Sequence, residues 1–233
     1  FLYKAIGEGT ALLAKREAGE TVSVMGPIGK PFEVDCKRPL LIGGGVGMPP
    51  MICIAESLKG SDCHPFVILG SEVPFPFQAR PSEMLVPGMP DGVIGAMPLL
   101  EDWGIPSRLA SLQGYPGCFE GYVTDLARRW LDALDEDRRA EVEIFACGPH
   151  PMLEACARLA EQALAIGGEY ADVAANASAS LASIYRLQKQ PEQAREVLFA
   201  ALAVAPANPD LRLQLGLIQI SSRSPASCLK KEV

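Results

Sequence analysis

The sequence is short of the features that mark several common functions. None of its seven cysteines falls in a CxxC pair, so zinc-ligand spacing and a disulfide framework are both missing, and the chain reads as a reduced, cytoplasmic protein. Its two histidines, His64 and His150, lie far apart with no ladder of Cys or carboxylates around them, so no metal site and no catalytic triad can be argued. Aromatics amount to only 6%, and Trp103 and Trp130 read as core residues. Positive charge is outweighed, 21 Lys and Arg against 28 Asp and Glu, and the net charge of −7 disfavours nucleic-acid backbones as partners. No apolar run reaches the roughly 18 residues of a membrane span, and no signal-peptide pattern opens the chain.

What remains is 233 residues, 48% of them hydrophobic, enough for a real core in one or two domains. The 22 Gly and 20 Pro imply many turns, as in an α/β protein with elaborate loops. The chain opens at Phe1 inside an apolar–polar alternation, FLYKAIGEGT, which reads as the middle of a domain with more of it upstream.

Strands are expected at residues 1–5 and Glu20 to Met25, the latter with period two. From Lys37 onward the pattern changes. Apolar strands are expected at Pro39 to Ile42, Pro65 to Leu69 and Val142 to Ala146, with a further strand at Val93 to Ala96. Helices are expected over Pro50 to Leu58, Thr124 to Leu134 with Thr124 as cap, and Pro151 to Ile166. Repeated strand–glycine–helix units argue for a parallel sheet with crossover helices. Residues 73–120, rich in Pro and Gly, resist assignment. After Gly167-Gly168 the chain becomes Ala- and Leu-rich and fits two or three helices, one starting at Pro191; the tail from Ser221 reads as frayed.

Two glycine turns carry the chemical signal. Gly45 to Pro50 spells GxGxxP between a strand and a helix, where glycines admit a pyrophosphate and the helix start would supply N–H groups. The plainer alternative is a tight turn. Cys147-Gly148-Pro149 repeats the arrangement at another strand end, which would face the same crevice; the alternative for Cys147 is a small buried residue. Glu72 follows the second strand 25 residues beyond Gly47, near the place of a ribose-binding acid, and would repel a 2′-phosphate; Arg80 nearby argues the reverse, and a solvated loop glutamate is the alternative.

LYKAIGEGT, GPIGKPF, LLIGGGVGMPPM and IFACGPHPML, in this order, closely resemble the ferredoxin-NADP reductase superfamily over residues 1–165. The nearest branch is similar to the electron-transfer subunit of dihydroorotate dehydrogenase, in pyrimidine biosynthesis. The resemblance implies the end of a flavin-binding β-barrel (1–36), then a parallel-sheet NAD-binding domain (37–166). It implies FAD and NAD(H), with electrons passing to a partner subunit or acceptor protein. By position it places Leu2, Tyr3 and Lys4 against the flavin, and Gly9 and Thr10 at its phosphates. Gly44, Gly45, Val46, Gly47 and Pro50 fall on the dinucleotide loop, and Cys147, Gly148 and Pro149 beside the nicotinamide, with Cys147 close to the hydride path. The flavin would carry the redox chemistry. Two departures stand out. The family's upstream Arg-Pro-x-Ser flavin motif is not in the sequence, and the four cysteines that would ligate a [2Fe–2S] cluster are not there either; Cys228 stands alone.

Ala175 to Asn208 resembles one 34-residue tetratricopeptide repeat, with Ala182, Tyr185, Ala194, Leu198, Ala201 and Pro206 in place. A generic helical hairpin over 167–220 is the alternative. The main functional expectation is therefore a flavin-dependent oxidoreductase subunit. A scaffold that binds partners through its C-terminal helices, and a composite or truncated chain inactive alone, are the other readings.

Overall fold

A computed structural model describes residues 2–26, 31–167, 190–204, 211–213 and 215. Its centre is a five-stranded parallel sheet built from β1 (Arg38–Gly44), β2 (Phe66–Gly70), β5 (Ser107–Ser111), β6 (Phe119–Glu120) and β7 (Val142–Cys147), in the order β6-β5-β2-β1-β7. β3 (Arg80–Pro81) and β4 (Gly95–Ala96) form a separate antiparallel pair. The three strands in the middle of the sheet have helices or loops on both faces, so β1 and β2 are near-continuous apolar runs, whereas edge strand β7 is only partly buried, with Val142 and Phe145 its buried residues.

Successive strand residues point to opposite faces, which divides the core in two. Leu40, Ile42, Phe66 and Ile68 pack under α4 (Val123–Asp132) and, beyond the short α5 (Glu136–Ala140), α6 (His150–Gly167). Leu41, Val67, Leu69 and Leu109 pack under α2 (Met48–Ser57) and α3 (Pro98–Asp102). Trp130 is buried on the first face, its ring 5.1 Å from that of Phe66, as expected of a core residue; Trp103 is only partly buried. The chain is thus an α/β sandwich with helices on both sides of a parallel sheet.

Several expectations need correction. β5 and β6 fall inside the stretch left unassigned: SRLAS carries only two apolar residues, yet all five are buried. Its Arg108 is accommodated by donating to the Ser107 and Met84 carbonyls, each at 2.7 Å, which pins the 82–86 loop to the sheet. The strand expected at Val93 to Ala96 shrinks to two residues outside the main sheet. Helix α4 begins at Val123 with Tyr122 as N-cap, not at a Thr124 cap, because Val123 is drawn into the core against Gly70, where no side chain would fit.

Before Arg38 no strand forms among the described residues. The strands expected at 1–5, of which residues 2–5 are described, and at 20–25 run without ladder partners, and Val24 and Met25 stay exposed; alternation alone does not make a strand when no neighbour accepts its hydrogen bonds. GEGT begins the six-residue α1 (Glu8–Leu13) and is not simply a turn. The barrel end expected over 1–36 is therefore not confirmed. The helix expected from Pro191 does form, as α7 (Pro191–Val204), with Ala194, Leu198 and Ala201 buried. The first helix of the proposed repeat and the Ser221 tail lie outside the described residues.

Candidate functional site

The sheet grows from β1 outward through β2, β5 and β6 on one side, while β7 adds on the other. In open parallel sheets that reversal opens a crevice at the carboxyl ends of the two strands. Here β1 ends in Gly43-Gly44, a 3₁₀ turn spans Gly45–Gly47, and α2 follows; Cys147 at the end of β7 is paired with Gly43. Each glycine meets something different. Gly47 is buried against the peptide joining Cys147 to Gly148. A Cβ on Gly44 would come within 2.5 Å of Met152 Sδ. Gly45 has φ +55° and open space where a Cβ would stand.

A cleft of about 420 Å³ opens over the ends of β1, β2 and β5 and the starts of α4 and α6, a size suited to a nucleotide. Its polar lining comes from Ser71, Glu72, Ser111, Thr124 and Lys4. Ser71 Oγ accepts from Val73 N at 3.3 Å and Ser111 Oγ accepts from Gln113 N at 3.2 Å. The same turn thus recurs at two neighbouring strand ends, and each hydroxyl keeps a proton to donate. Val73, Leu112 and Tyr122 give the rim exposed apolar surface.

The start of α2 does not supply the N–H groups expected of it. Its first residues are Met48, Pro49 and Pro50; the prolines have no N–H, and Met48 N donates to Gly45 O. At α6, Pro149 and Pro151 again lack donors and Met152 N is engaged by Pro149 O at 3.0 Å. The proline that helps start a helix also removes its anion-binding groups.

Of the residues singled out from sequence, Lys4, Gly44, Gly45, Glu72 and Pro149 line the cleft. Gly47, Cys147 and Gly148 meet beneath the glycine turn without lining it, and burial raises the Cys147 thiol above its ordinary pKa. Val46 is exposed and Pro50 half-buried in α2. Leu2 and Tyr3 are exposed; Gly9 and Thr10 sit in α1. Thr10 Oγ1 accepts from Ile6 N and Gly7 N and donates to Gly7 O, so its hydroxyl is fully engaged. Arg80 is held at 2.6 Å by Asp102 and does not line the cleft. Ser71, Ser111, Tyr122 and Thr124 were missed. The repeat of a serine directly at a strand end was the signal, hidden at Ser111 by the polar make-up of β5.

No family model matches the chain. It is similar, however, to proteins named dihydroorotate dehydrogenase B (NAD(+)), electron transfer subunit. It is 31% identical over 159 residues to that of Listeria welshimeri and 32% identical over 163 residues to that of Bacillus caldolyticus. The matches cover 66% and 67% of this chain and 52% of each relative, so the chain spans about half the length of the curated relatives it matches. This likeness supports the ferredoxin-reductase resemblance over two-thirds of the chain; the tetratricopeptide resemblance finds no support in it.

Among the described residues no group of three or more His, Cys, Asp or Glu is placed to hold a metal, and no helix is long and apolar enough to cross a membrane. A [2Fe–2S] cluster therefore has no fitting ligand set there.

Proposed function

We propose that this chain binds NAD(H) in the cleft over β1, β2 and β5, as the nucleotide-handling part of an electron-transfer subunit that exchanges electrons with a partner oxidoreductase. The observation carrying this reading is Gly45: a left-handed glycine with no atom over it, at the carboxyl end of the first strand, opening on a nucleotide-sized cleft. The likeness to subunits named for dihydroorotate dehydrogenase adds the redox context, and makes a dihydroorotate-oxidising catalytic subunit the proposed partner.

The dinucleotide fits the residues present. Gly45 admits its phosphates, Ser71 and Ser111 offer hydroxyl donors, and Glu72 can accept from ribose hydroxyls. A bound nicotinamide supplies or accepts a hydride. Cys147, neutral in its half-buried place, serves by packing behind the glycine turn and not as a thiolate. FAD is the acceptor that the resemblance implies, but residues 2–26 do not build a cradle for it: no strand pairs there, and the Thr10 hydroxyl has no capacity left for a phosphate.

Calorimetric titration of the full chain with NADH and ADP-ribose tests the reading. Saturable binding of both, with NADH able to displace ADP-ribose, is expected. An absence of binding by either would sink the proposal. A visible spectrum taken alongside, with anaerobic NADH, reads out any flavin: a band that bleaches assigns the chain its own acceptor, and a colourless protein assigns the acceptor to a partner.

A further inference from the structure

The cleft that we read as a dinucleotide site has little to offset the charge of a diphosphate. Prolines reduce the donors at both helix starts: Pro49 and Pro50 lack an N–H in the first turn of α2, and Pro151 lacks one in the first turn of α6. α4 carries an acid, Asp125, in its first turn. Glu72 adds a negative charge to the lining. Among the residues that line the cleft, one side chain is cationic, and it comes from outside the sheet: Lys4, on the segment that runs into α1.

From this charge balance we infer that Lys4 is the diphosphate-binding cation of the cleft, so that the segment around it acts as a strap over the nucleotide and not as flavin-facing structure. Lys4 is exposed, so its removal leaves the core untouched. An ammonium on a flexible four-carbon stem can reach a phosphate as a point charge without fixed geometry. The polar partners it leaves in place, Ser71, Ser111 and the Gly45 turn, are neutral. The inference rests on the cleft being a dinucleotide site.

The test compares Lys4→Ala and Lys4→Arg with the wild-type chain, titrated calorimetrically with ADP-ribose and with adenosine at low and high salt. Lys4→Ala should weaken ADP-ribose by about tenfold at low salt, as loss of a partly screened charged hydrogen bond does, and should flatten its salt dependence. Adenosine, which carries no phosphate, should bind both proteins alike, and Lys4→Arg should restore most of the loss. Unchanged ADP-ribose affinity in Lys4→Ala overturns the role of Lys4 while leaving the nucleotide site standing. An equal loss for adenosine also overturns it, by showing a contact with no preference for phosphate. A wild-type chain that binds neither probe overturns this inference together with the reading beneath it.

Discussion

Gly47 lies so close to the Cys147 carbonyl that a side chain at position 47 would have to displace the end of β7. The close approach expected of this glycine is therefore to a neighbouring strand end, within the protein, and it locks two glycine turns into one unit. Gly47→Ala should accordingly destabilise the fold by about 2–4 kcal/mol, a steric cost in a packed place. Gly45→Ala meets no neighbour and should cost only about 1–2 kcal/mol, the strain of its left-handed backbone. Urea unfolding of the two variants decides: equal midpoints would remove the distinction between the glycine that packs and the glycine that opens on the cleft.

Cys156 gives a second, independent prediction. It lies on the buried face of α6, in the core shared with Leu126 and Leu159, and burial pushes its thiol from 9.0 up to about 12. The folded state thus keeps a proton that the unfolded chain releases above pH 9.0. Stability attached to this group is complete below that pH and is lost as pH rises toward 12. Cys36, likewise pushed up to about 12, acts in the same sense. Cys156→Ala should therefore lose part of the alkaline decline that the wild type shows. Urea midpoints measured in steps above pH 9.0 check it, and parallel pH profiles in the two proteins would count against the buried neutral thiol.

Much of the sheet could be read in advance because its strands announce themselves. β1 and β2 are unbroken apolar runs, and the glycine turns after β1 and β7 punctuate them. β5 could not be read this way: Ser107, Arg108 and Ser111 are polar, and only the network through the Ser107 and Met84 carbonyls makes their burial tolerable. Residues 20–25 show the opposite failure, a good alternating pattern with nothing to pair with. At the site, Gly44, Gly45, Glu72 and Pro149 were legible from their places at strand ends. Lys4, which the resemblance sets against a flavin, lines the cleft, a place that the sequence does not show because the path of a chain segment across another element's cleft leaves no local mark in it.

Trp130 tests the core that holds α4 over the sheet. Its indole is 4% exposed and tilted against Phe66. Trp130→Ala should cost about 3–5 kcal/mol and Trp130→Phe roughly 1–2 kcal/mol, since the phenyl ring keeps part of the contact. Because α4 starts at the cleft, Trp130→Ala should also weaken nucleotide binding beyond its global unfolding. Urea melts followed through Trp103, which stays partly exposed beneath Lys59, report on both variants without the missing indole. A Trp130→Ala protein as stable as the wild type would mean that α4 is held by its other contacts.

Glu72 bears on which nucleotide the cleft prefers. It stands at the end of β2 on the cleft wall, while Arg80, the nearby cation that would favour a 2′-phosphate, is drawn away to Asp102. A carboxylate in that position accepts from ribose hydroxyls and opposes a 2′-phosphate. ADP-ribose should therefore bind more tightly than its 2′-phosphorylated analogue, and Glu72→Gln should narrow the gap by about tenfold, the repulsion of one charge pair near the surface. The narrowing should come mostly from tighter binding of the phosphorylated ligand, because the amide oxygen still accepts from a ribose hydroxyl. It should also shrink at high salt, where the lost repulsion was already screened. Competition titrations of both ligands against both proteins measure it. A gap unchanged by Glu72→Gln would place the ribose elsewhere in the cleft, and the serines at the ends of β2 and β5 would then be the groups to examine by substitution.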